Sequence, residues 1–504
     1  MIQLKIKKEH LPETVKCFQK WKPSWTIYAV HNDNIYDLLR ENAGIWTEAE
    51  SIRIAGNKYS LKEFSGNLHF RVKAGDGKSF IFILKEKEYI LLVNDETDFS
   101  SAPALPRIYW NRNKKRGSLN VLKKFSETQD LIVDECLGVK NLNALSRMKN
   151  LKNLSLTFCR QLENIQGIAD LASLQNLYIH FCFLLEDISP LSNLTELETL
   201  TIAYAYSMRN TDSLSSLKNL KSLDLYGANL TDIEGLRTLS GLRSLCLGYC
   251  MTLENFEPLS RLKGLTDLDL TNCLGLTDAS FLSDLTELRS LSLNSCGNLP
   301  DISPISKLTE LKILDLSWCV EIQDIRALKK LQNLTELRMN GTHLKDLNVL
   351  SFLPNLAEKK ETFDLSWSEH LQDISTLSNF INLKELDLSS CSEISEISPI
   401  KGLKKIRKLN LASCGKIKDI SAIKSMKNIT ELNLSFCEKI TDLSPLAGLK
   451  NLRILNLESC TGLKDISVLK NLKNLAELNI SGCTGISDFS AVTHIPDLIL
   501  NDQE

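Results

Sequence analysis

Apolar residues recur along the chain with a regular period, and the segment Ile429–Asn451 shows the pattern clearly. Within it, Leu432 and Leu434 alternate with polar residues, as the residues of a short strand would. Apolar residues then follow at every third position, as a tight helical or irregular return segment would place them. One such unit leaves its apolar edge uncovered, whereas stacked units cover one another. The pattern therefore predicts an array of stacked repeats.

The repeats align on one position that is usually cysteine, which gives about 16 units between residues 128 and 500. Twelve of the 14 cysteines fall on this ladder, and four units carry another small residue there. The register predicts small, buried, reduced thiols, which fit a reducing cytoplasm. No CxxC pair is present, which argues against zinc. The ladder comprises Cys136, Cys159, Cys182, Cys250, Cys273, Cys296, Cys319, Cys391, Cys414, Cys437, Cys460 and Cys483, with Ala205, Ala228, Thr342 and Ser368 in the other units.

A short polar residue, usually aspartate, follows five positions after the cysteine in most units, as Asp442 follows Cys437. An aspartate there can accept backbone N–H bonds at the start of the return segment. The Ser444-Pro445 pair that comes next suits the first turn of a helix. We therefore interpret this acidic column as structural rather than catalytic.

Two segments, Asp187-Ile188-Ser189-Pro190-Leu191 and Asp301-Ile302-Ser303-Pro304-Ile305, resemble the internalin type of bacterial leucine-rich repeat. The cysteine ladder resembles the cysteine-containing class of these repeats. The resemblance covers about three quarters of the chain. It implies an α/β fold, a curved leucine-rich-repeat solenoid with a parallel sheet on the concave face. Such repeats serve many partners, so the resemblance does not identify one.

Internalins are secreted, but the start of this chain, MIQLKIKKEH, has no apolar signal-peptide core. No apolar run reaches the roughly 18 residues of a membrane helix. We therefore expect a cytoplasmic protein without membrane contact.

Residues 1–106 lack the repeat and are predicted to form a small N-terminal α+β domain. Residues 107–127 are predicted to be a basic connector and N-terminal cap, followed by the repeat array at 128–504. Residues 1–125 carry 22 basic and 14 acidic residues, so the connector could contact an acidic partner or nucleic acid, although a solvated linker is the favoured interpretation. The predicted strands are Gln3–Ile6, Trp25–Val30, Asn67–Lys73, Ser79–Lys85 and Tyr89–Val93, and the predicted helices are Glu9–Lys20 and Ile35–Glu41.

The segment Gly75-Asp76-Gly77-Lys78-Ser79 ends like a phosphate-binding loop. That motif requires a glycine where Val72 stands, and it requires a helix after the loop so that amide groups face the phosphate. The apolar run Phe80–Leu84 instead predicts a strand, so we interpret Gly75–Gly77 as a hairpin turn.

Residues between the core leucines of each strand point to the opposite face of the sheet. On that face the early units are aromatic, the middle units are acidic and the last four units carry asparagine. Exposed aromatic clusters often mark interfaces, although these could instead pack against the N-terminal domain. Stacked carboxylates repel one another and so favour a basic partner, whereas the asparagines could either bind a ligand or stabilise the sheet.

The register breaks at Leu356–Phe363, where the polar insertion Glu358–Glu361 is expected to loop outward. Trp318 and Trp367 occupy matching positions on either side of this break. The complete set of predicted partner-binding residues is Phe158, Tyr178, His180, Phe181, Tyr204, Tyr226, Tyr249, Asp269, Asp315, Trp318, Asp364 and Trp367.

We predict a non-catalytic recognition or scaffold protein that binds a protein partner through the concave repeat surface, as a bacterial effector or a subunit of a multi-protein complex such as a defence complex. The sequence lacks HExxH, a nucleophile elbow and a dinucleotide-binding glycine motif, so no enzyme activity, cofactor or metal is expected. One alternative is that the repeats target an enzymatic or nucleic-acid-binding N-terminal domain. Another is a ubiquitin-ligase adaptor, which would need a helical N-terminal box that the β-rich segment 67–93 disfavours.

Overall fold

The structure is a computed structural model that describes residues 2–4, 26–29, 52–54, 57–59, 68–73, 79–85, 88–93, 107–111, 119–134 and 138–500. The predicted helices Glu9–Lys20 and Ile35–Glu41, the predicted turn Gly75–Gly77 and the ladder residue Cys136 lie outside the described residues.

Short strands alternate with 3-10 helices along most of the described chain. The strands are β1 (Ile2–Leu4), β2 (Thr26–Ala29), β3 (Ile52–Ile54), β4 (Asn57–Tyr59), β5 (Leu68–Lys73), β6 (Ser79–Lys85), β7 (Glu88–Val93), β8 (Arg107–Asn111), β9 (Asp130–Asp134), β10 (Asn153–Thr157), β11 (Asn176–His180), β12 (Thr199–Ala203), β13 (Ser222–Asp224), β14 (Ser244–Cys246), β15 (Asp267–Asp269), β16 (Ser290–Ser292), β17 (Ile313–Asp315), β18 (Glu336–Arg338), β19 (Thr362–Asp364), β20 (Glu385–Asp387), β21 (Lys408–Asn410), β22 (Glu431–Asn433), β23 (Ile454–Asn456), β24 (Glu477–Asn479) and β25 (Asp497–Ile499).

The helical segments follow the same rhythm, and the described residues include one α-helix, Pro354–Lys359. The 3-10 helices are Asn120–Lys124, Asn143–Leu145, Gln166–Ile168, Ser189–Asn193, Asp212–Leu214, Glu234–Thr238, Glu257–Arg261, Ser280–Asp284, Ser303–Lys307, Arg326–Lys330, Asn348–Phe352, Ser375–Asn379, Ser398–Gly402, Ser421–Ser425, Ser444–Gly448, Ser467–Asn471 and Ser490–Val492.

The strands before the repeats pair antiparallel: β1 with β2 and β3, β3 with β4, and β2, β5, β6 and β7 in succession. The five strands predicted from sequence are therefore confirmed to within two residues, and β3 and β4 are additional. The strand β6 begins at Ser79, so a strand follows the segment that resembles a phosphate-binding loop, where a true loop of that kind would be followed by a helix. The predicted limits of the N-terminal domain stay a prediction.

The predicted connector contains regular structure. Strand β8 pairs parallel with β7 and with β9, the first strand of the array. Ile108, Leu122 and Phe125 are buried, so this segment supplies apolar cover as well as positive charge.

The chain divides into two compact units, one formed by residues 1–229 and 234–242, the other by 230–233 and 243–504. In the first unit, β9 to β13 are parallel, and the central leucine of each strand lies directly beside the leucine of the next strand. In the second unit, β14 to β18 form one such run and β19 to β25 another, in which Phe363 of β19 takes the place of the leucine. The repeated strands and return segments confirm the predicted solenoid of leucine-rich repeats.

The core of each repeat follows from the spacing of its apolar residues. Leu432 and Leu434 are buried, while Asn433 between them is half-buried on the opposite face. In the return segment, the N–H groups of Leu446 and Leu449 donate to the carbonyls of Leu443 and Leu446 at 2.9 and 3.0 Å. A 3-10 helix has three residues per turn, so an apolar residue at every third position faces the core each time.

The ladder cysteines that the structure describes are buried and are reduced thiols rather than disulfides, as predicted. From Cys273 onward, each thiol donates to a carbonyl oxygen 26 residues earlier, as Cys437 Sγ does to Leu411 at 3.1 Å. Burial raises the pKa of Cys437 to about 11. Each thiol thus joins its repeat to the preceding one while remaining protonated.

The aspartates of the return segments hold the bonds predicted for them. Asp442 accepts the N–H of Ser444 at 2.7 Å, and Asp187 accepts that of Ser189 at 2.8 Å. In other repeats an asparagine such as Asn255 makes the same contact. Hydrogen bonds from the Ser189 side chain and backbone lower the pKa of Asp187, so the ionised carboxylate is the form that the fold prefers.

The insertion at the register break differs from expectation. Its residues extend the helix Pro354–Lys359, and Lys360 turns inward to be only 4% exposed. The Lys360 ammonium pairs with Glu336 and lies 5.3 Å from the centre of the Phe363 ring. The prediction of a purely outward loop is therefore wrong at Lys360, because a carboxylate and an aromatic face compensate the buried charge.

Candidate functional site

The residue directly before the cysteine position has a positive φ, between 54° and 72°, in fifteen successive repeats. This left-handed conformation is uncommon for bulky residues. In thirteen of these repeats it is held by a hydrogen bond from the backbone N–H to a carbonyl of the next repeat, as from Phe158 to His180 at 3.0 Å. Eight repeats use Gly, Asn or Ser here, and seven use an aromatic residue: Phe158, Phe181, Tyr204, Tyr249, Trp318, Trp367 and Phe436.

The backbone at this left-handed position does not require an aromatic side chain, because serine adopts the same conformation in four repeats. A strained conformation costs on the order of 1–3 kcal/mol and persists where the surroundings fix it. The aromatic residues therefore add ring surface that is not needed to close the turn. This surface is half-buried at Phe158, Phe181 and Tyr204 and exposed at the other four positions. Surface of that kind is typical of binding sites.

In the first unit, three of these rings form a continuous stack. The centres of Phe158 and Phe181 are 4.6 Å apart with planes at 4°, and those of Phe181 and Tyr204 are 4.5 Å apart at 11°. This separation matches the roughly 4.8 Å between neighbouring strands, so identical positions in successive repeats place the rings in contact. Tyr226 meets the end of the stack edge-on at 5.4 Å from Tyr204.

A second row runs beside the stack. Phe183 and Tyr206 lie two residues further along and stack on each other at 5.4 Å and 6°. Phe183 contacts Phe181 edge-on at 6.2 Å, and Tyr206 contacts Tyr204 at 6.3 Å. These two residues are missing from the sequence prediction, although their matching position after the cysteine is a usable signal. We call the six rings the aromatic patch: Phe158, Phe181, Phe183, Tyr204, Tyr206 and Tyr226.

Two further predicted residues lie on the strand beside the patch. Tyr178 is in the middle of β11 and 37% exposed. His180 ends that strand, and its ring centre is 6.5 Å from that of Phe181. Tyr249 is exposed in the second unit. The structure therefore brings five predicted residues of the first unit into contact, namely His180 and the patch residues Phe158, Phe181, Tyr204 and Tyr226. Tyr178 lies on the same strand as His180.

The three predicted acidic residues are in the second unit, and their carboxylates bond within the fold. Asp269, Asp315 and Asp364 each accept the backbone N–H two residues later, at 2.8, 2.9 and 2.9 Å. Asp315 is only 9% exposed and lies 3.8 Å from the Arg338 guanidinium. These bonds fix the turn that leads into the left-handed residue, a role that sequence reasoning missed.

The asparagines of the last repeats make the same contact. Asn433 and Asn456 accept the N–H groups of Ser435 and Glu458 through Oδ1 at 3.0 and 2.9 Å. The asparagine column therefore stabilises the ends of the strands, and the Oδ1 atom of each amide accepts the bond that does so.

Trp318 and Trp367 are 42% and 52% exposed, and their ring centres are 6.3 Å apart. The repeat between them has Gly341 at the left-handed position. A Cβ atom on Gly341 would lie 2.6 Å from Cδ2 of Trp318. The two indoles approach each other because this glycine leaves the space between them open.

Within the described residues, no group of three or more His, Cys, Asp or Glu side chains could hold a metal ion. The helices among these residues include none long and apolar enough to cross a membrane.

Comparisons with known proteins support the repeat assignment. A model of leucine-rich repeats in two copies matches residues 381–425, 404–448, 427–471 and 450–494. A model of the BspA-type leucine-rich repeat region in six copies matches 114–231 and 218–345. A search of curated proteins found no match.

Solved structures of bacterial repeat proteins are also similar. A leucine-rich repeat protein of Leptospira interrogans is 19% identical over 76% of this chain and 92% of its own, with a TM-score of 0.55, and shares the fold. An internalin of Listeria monocytogenes is 24% identical over 76% and 89%, with a TM-score of 0.41. The functional domain of InlJ from Listeria monocytogenes, described as including a cysteine ladder, is 19% identical over 72% and 71%, with a TM-score of 0.45.

Repeats of this kind typically form scaffolds for protein interaction rather than enzymes, and the matching models indicate no catalytic family. The two models together match residues 114–345 and 381–494, and the described residues of these ranges form stacked strands and return segments. The chain belongs to the leucine-rich repeat proteins.

Proposed function

We propose that the protein is a non-catalytic recognition scaffold that binds a protein partner through the aromatic patch and the neighbouring Tyr178. The observation that carries the proposal is six contacting rings on the surface of one unit, three of them at positions where other repeats use Ser, Asn or Gly. Large, rigid aromatic side chains supply much of the binding energy at protein interfaces. The patch offers such anchors already in contact, so little side-chain freedom is lost on binding.

In the second unit, Tyr249, Trp318, Trp367 and the carboxylates of Asp269, Asp315 and Asp364 are proposed as secondary contacts for a partner with basic surface. Rim charges chiefly affect the association rate and its salt dependence. The buried thiols support a reducing compartment such as the cytoplasm. A bacterial effector, or a subunit of a larger assembly such as a defence complex, are the settings proposed for this scaffold.

The test is partner capture from native lysate with matched variants, followed by titration of the purified partner. The test variant is Phe181→Ser/Tyr204→Ser, and the control is Phe352→Ser, which removes an exposed ring from a 3-10 helix of the second unit. Both test positions are left-handed, and serine already occupies that position at Ser295, Ser390, Ser413 and Ser459. We expect the control to melt close to wild type and the test variant to melt lower, because it loses stacked ring contacts. At a temperature where all three proteins are folded, only the test variant should lose the partner, by at least about tenfold in affinity.

Capture of the same partner at equal affinity by the test variant would refute the proposal. The test variant is also exposed to limited proteolysis, with the control beside it. If it releases the N-terminal segment faster than wild type and the control do, the patch is an internal contact for that segment and the proposal fails.

A further inference from the structure

A groove of about 520 Å³ runs across β19 to β24, and acidic residues dominate the charge of its lining. Among its lining residues, five are carboxylates and Lys408 is the one cation. The Lys408 ammonium lies 3.2 Å from Glu431, so it compensates part of the negative charge. The carboxylates are Asp364, Glu385, Asp387, Glu431 and Glu477.

The glutamates of the groove have a regular spacing. Glu385, Glu431 and Glu477 begin β20, β22 and β24, so one lies on every second strand. Strands about 4.8 Å apart place these glutamates about 9.6 Å from one another along the groove. A polyproline II helix rises about 3.1 Å per residue with three residues per turn, so every third residue recurs after about 9.3 Å. An extended β-strand places same-side residues about 6.7 or 13.4 Å apart, which does not match.

The groove also presents hydrogen-bond donors. The Oδ1 atoms of Asn433 and Asn456 face backbone N–H groups, and only an oxygen can accept there. The Nδ2 group of each amide is therefore the one available to a ligand. A polyproline II backbone makes no internal hydrogen bonds, so its carbonyl groups can accept from these amides.

Two exposed rings stand at the left-handed positions of the same repeats. Trp367 follows β19 and Phe436 follows β22, with 52% and 44% of their surfaces exposed. An aromatic face attracts an ammonium or guanidinium group within about 6 Å of its centre. The rings and the carboxylates thus favour the same kind of side chain.

We propose that this groove binds a Lys- or Arg-rich segment of a partner protein in the polyproline II conformation, with a basic residue at every third position. The basic side chains pair with Glu385, Glu431 and Glu477, and Asn433 and Asn456 bind the segment's carbonyl groups. This inference extends the proposed role as a protein-recognition scaffold. It rests on residues of the second unit alone, including Asp364 and Trp367 of the secondary contacts, and not on the aromatic patch.

The test is a fluorescence-anisotropy titration of the full-length protein with labelled peptides. The probe repeats Lys-Pro-Pro three times and ends on Lys. Its isomer has the same composition with all lysines in one block, so both peptides carry equal charge and equal proline content. We expect the spaced peptide to bind about tenfold more tightly than the block isomer, and its binding to weaken as salt is raised.

Matched variants locate the binding. Glu385→Gln/Glu477→Gln removes two groove carboxylates, whereas Glu396→Gln/Glu438→Gln removes two exposed carboxylates outside the groove lining. Both variants change the net charge equally. We expect the groove variant to lose about tenfold in affinity for the spaced peptide and the control to stay within about twofold of wild type.

Equal binding of the spaced and block peptides would overturn the proposal, as would equal affinity of the groove and control variants. The Phe181→Ser/Tyr204→Ser variant should bind the peptide as wild type does. A loss of partner capture through the aromatic patch and a loss of peptide binding in the groove are therefore separate results.

Discussion

Replacing Gly341 with alanine should destabilise the second unit through two effects that can be measured separately. Gly341 has φ +66°, where an L-residue with a Cβ is disfavoured by roughly 1–2 kcal/mol. The new Cβ would also lie 2.6 Å from two atoms of the Trp318 indole. Trp318 is partly exposed and can rotate away, but it then loses its contact with Trp367, worth about 0.5–1.5 kcal/mol. The expected total is about 2–3 kcal/mol.

The measurement is urea unfolding followed by circular dichroism, with Gly402→Ala as the control. Gly402 ends the 3-10 helix Ser398–Gly402 and nothing lies within 4 Å of a Cβ built there. The control should therefore unfold close to wild type, while Gly341→Ala unfolds at clearly lower urea.

A double-mutant cycle with Trp318→Ser separates the two effects. Serine retains the left-handed backbone in other repeats, so this change removes the indole and leaves the turn. In that background Gly341→Ala should cost only the backbone contribution, giving a coupling of about 1 kcal/mol. A Gly341→Ala protein as stable as the Gly402→Ala control would refute the assignment of the left-handed turn.

Three further predictions concern the repeat core and its charges. Leu432→Ala should cost roughly 2–5 kcal/mol because Leu432 is 1% exposed, and hydrogen exchange should rise in neighbouring repeats as well; a melting temperature equal to wild type would contradict the assigned register. Thiol labelling of the native protein should leave the buried ladder cysteines unreacted at neutral pH, since burial raises the pKa of Cys296 and Cys391 to about 12; rapid labelling without denaturant would disprove it. The pKa values of Asp373, Asp465 and Asp488 are lowered, chiefly by hydrogen bonds from the backbone of Ser375, Ser467 and Ser490. The stability that these carboxylates contribute is therefore present above the ordinary carboxyl pKa near 3.8 and is lost as the pH falls through the lowered pKa values. Melting temperatures between pH 6 and pH 3 should show a smaller acid loss in Asp373→Asn/Asp465→Asn/Asp488→Asn, because asparagine keeps the acceptor, as Asn255 does; an unchanged acid loss would refute this origin.

The repeat fold could be predicted because its signals are local and recur many times. The leucine spacing, the cysteine register and the aspartates of the return segments each determine one contact within a turn, and the structure shows those contacts. The strands before the repeats were also predictable, since their alternating residues form β5, β6 and β7.

The aromatic site was only partly predictable because its geometry depends on neighbouring repeats. The left-handed turn has no fixed residue type, so the sequence does not reveal that Phe158, Phe181 and Tyr204 stack. The sequence indicated only that the strand-centre carboxylates face outward. The bond from the Thr271 N–H to Asp269 could not be predicted, because it depends on the geometry of the turn after the strand. Lys360 escaped prediction for a similar reason, since Glu336 lies in the preceding repeat.

The left-handed position also affects how the displayed surface can change over generations. All the residue types found there, namely Gly, Asn, Ser, Phe, Tyr and Trp, are one nucleotide substitution away from some serine codon. A single mutation can therefore exchange a ring for serine at this position, or serine for a ring where the serine codon is UCU, UCC or UCG, without inserting or deleting residues. Because the backbone N–H bond to the next repeat does not depend on the side chain, such a mutation leaves the repeat length and strand register intact. The array can thus diverge in what it recognises, one repeat at a time, while its scaffold is conserved.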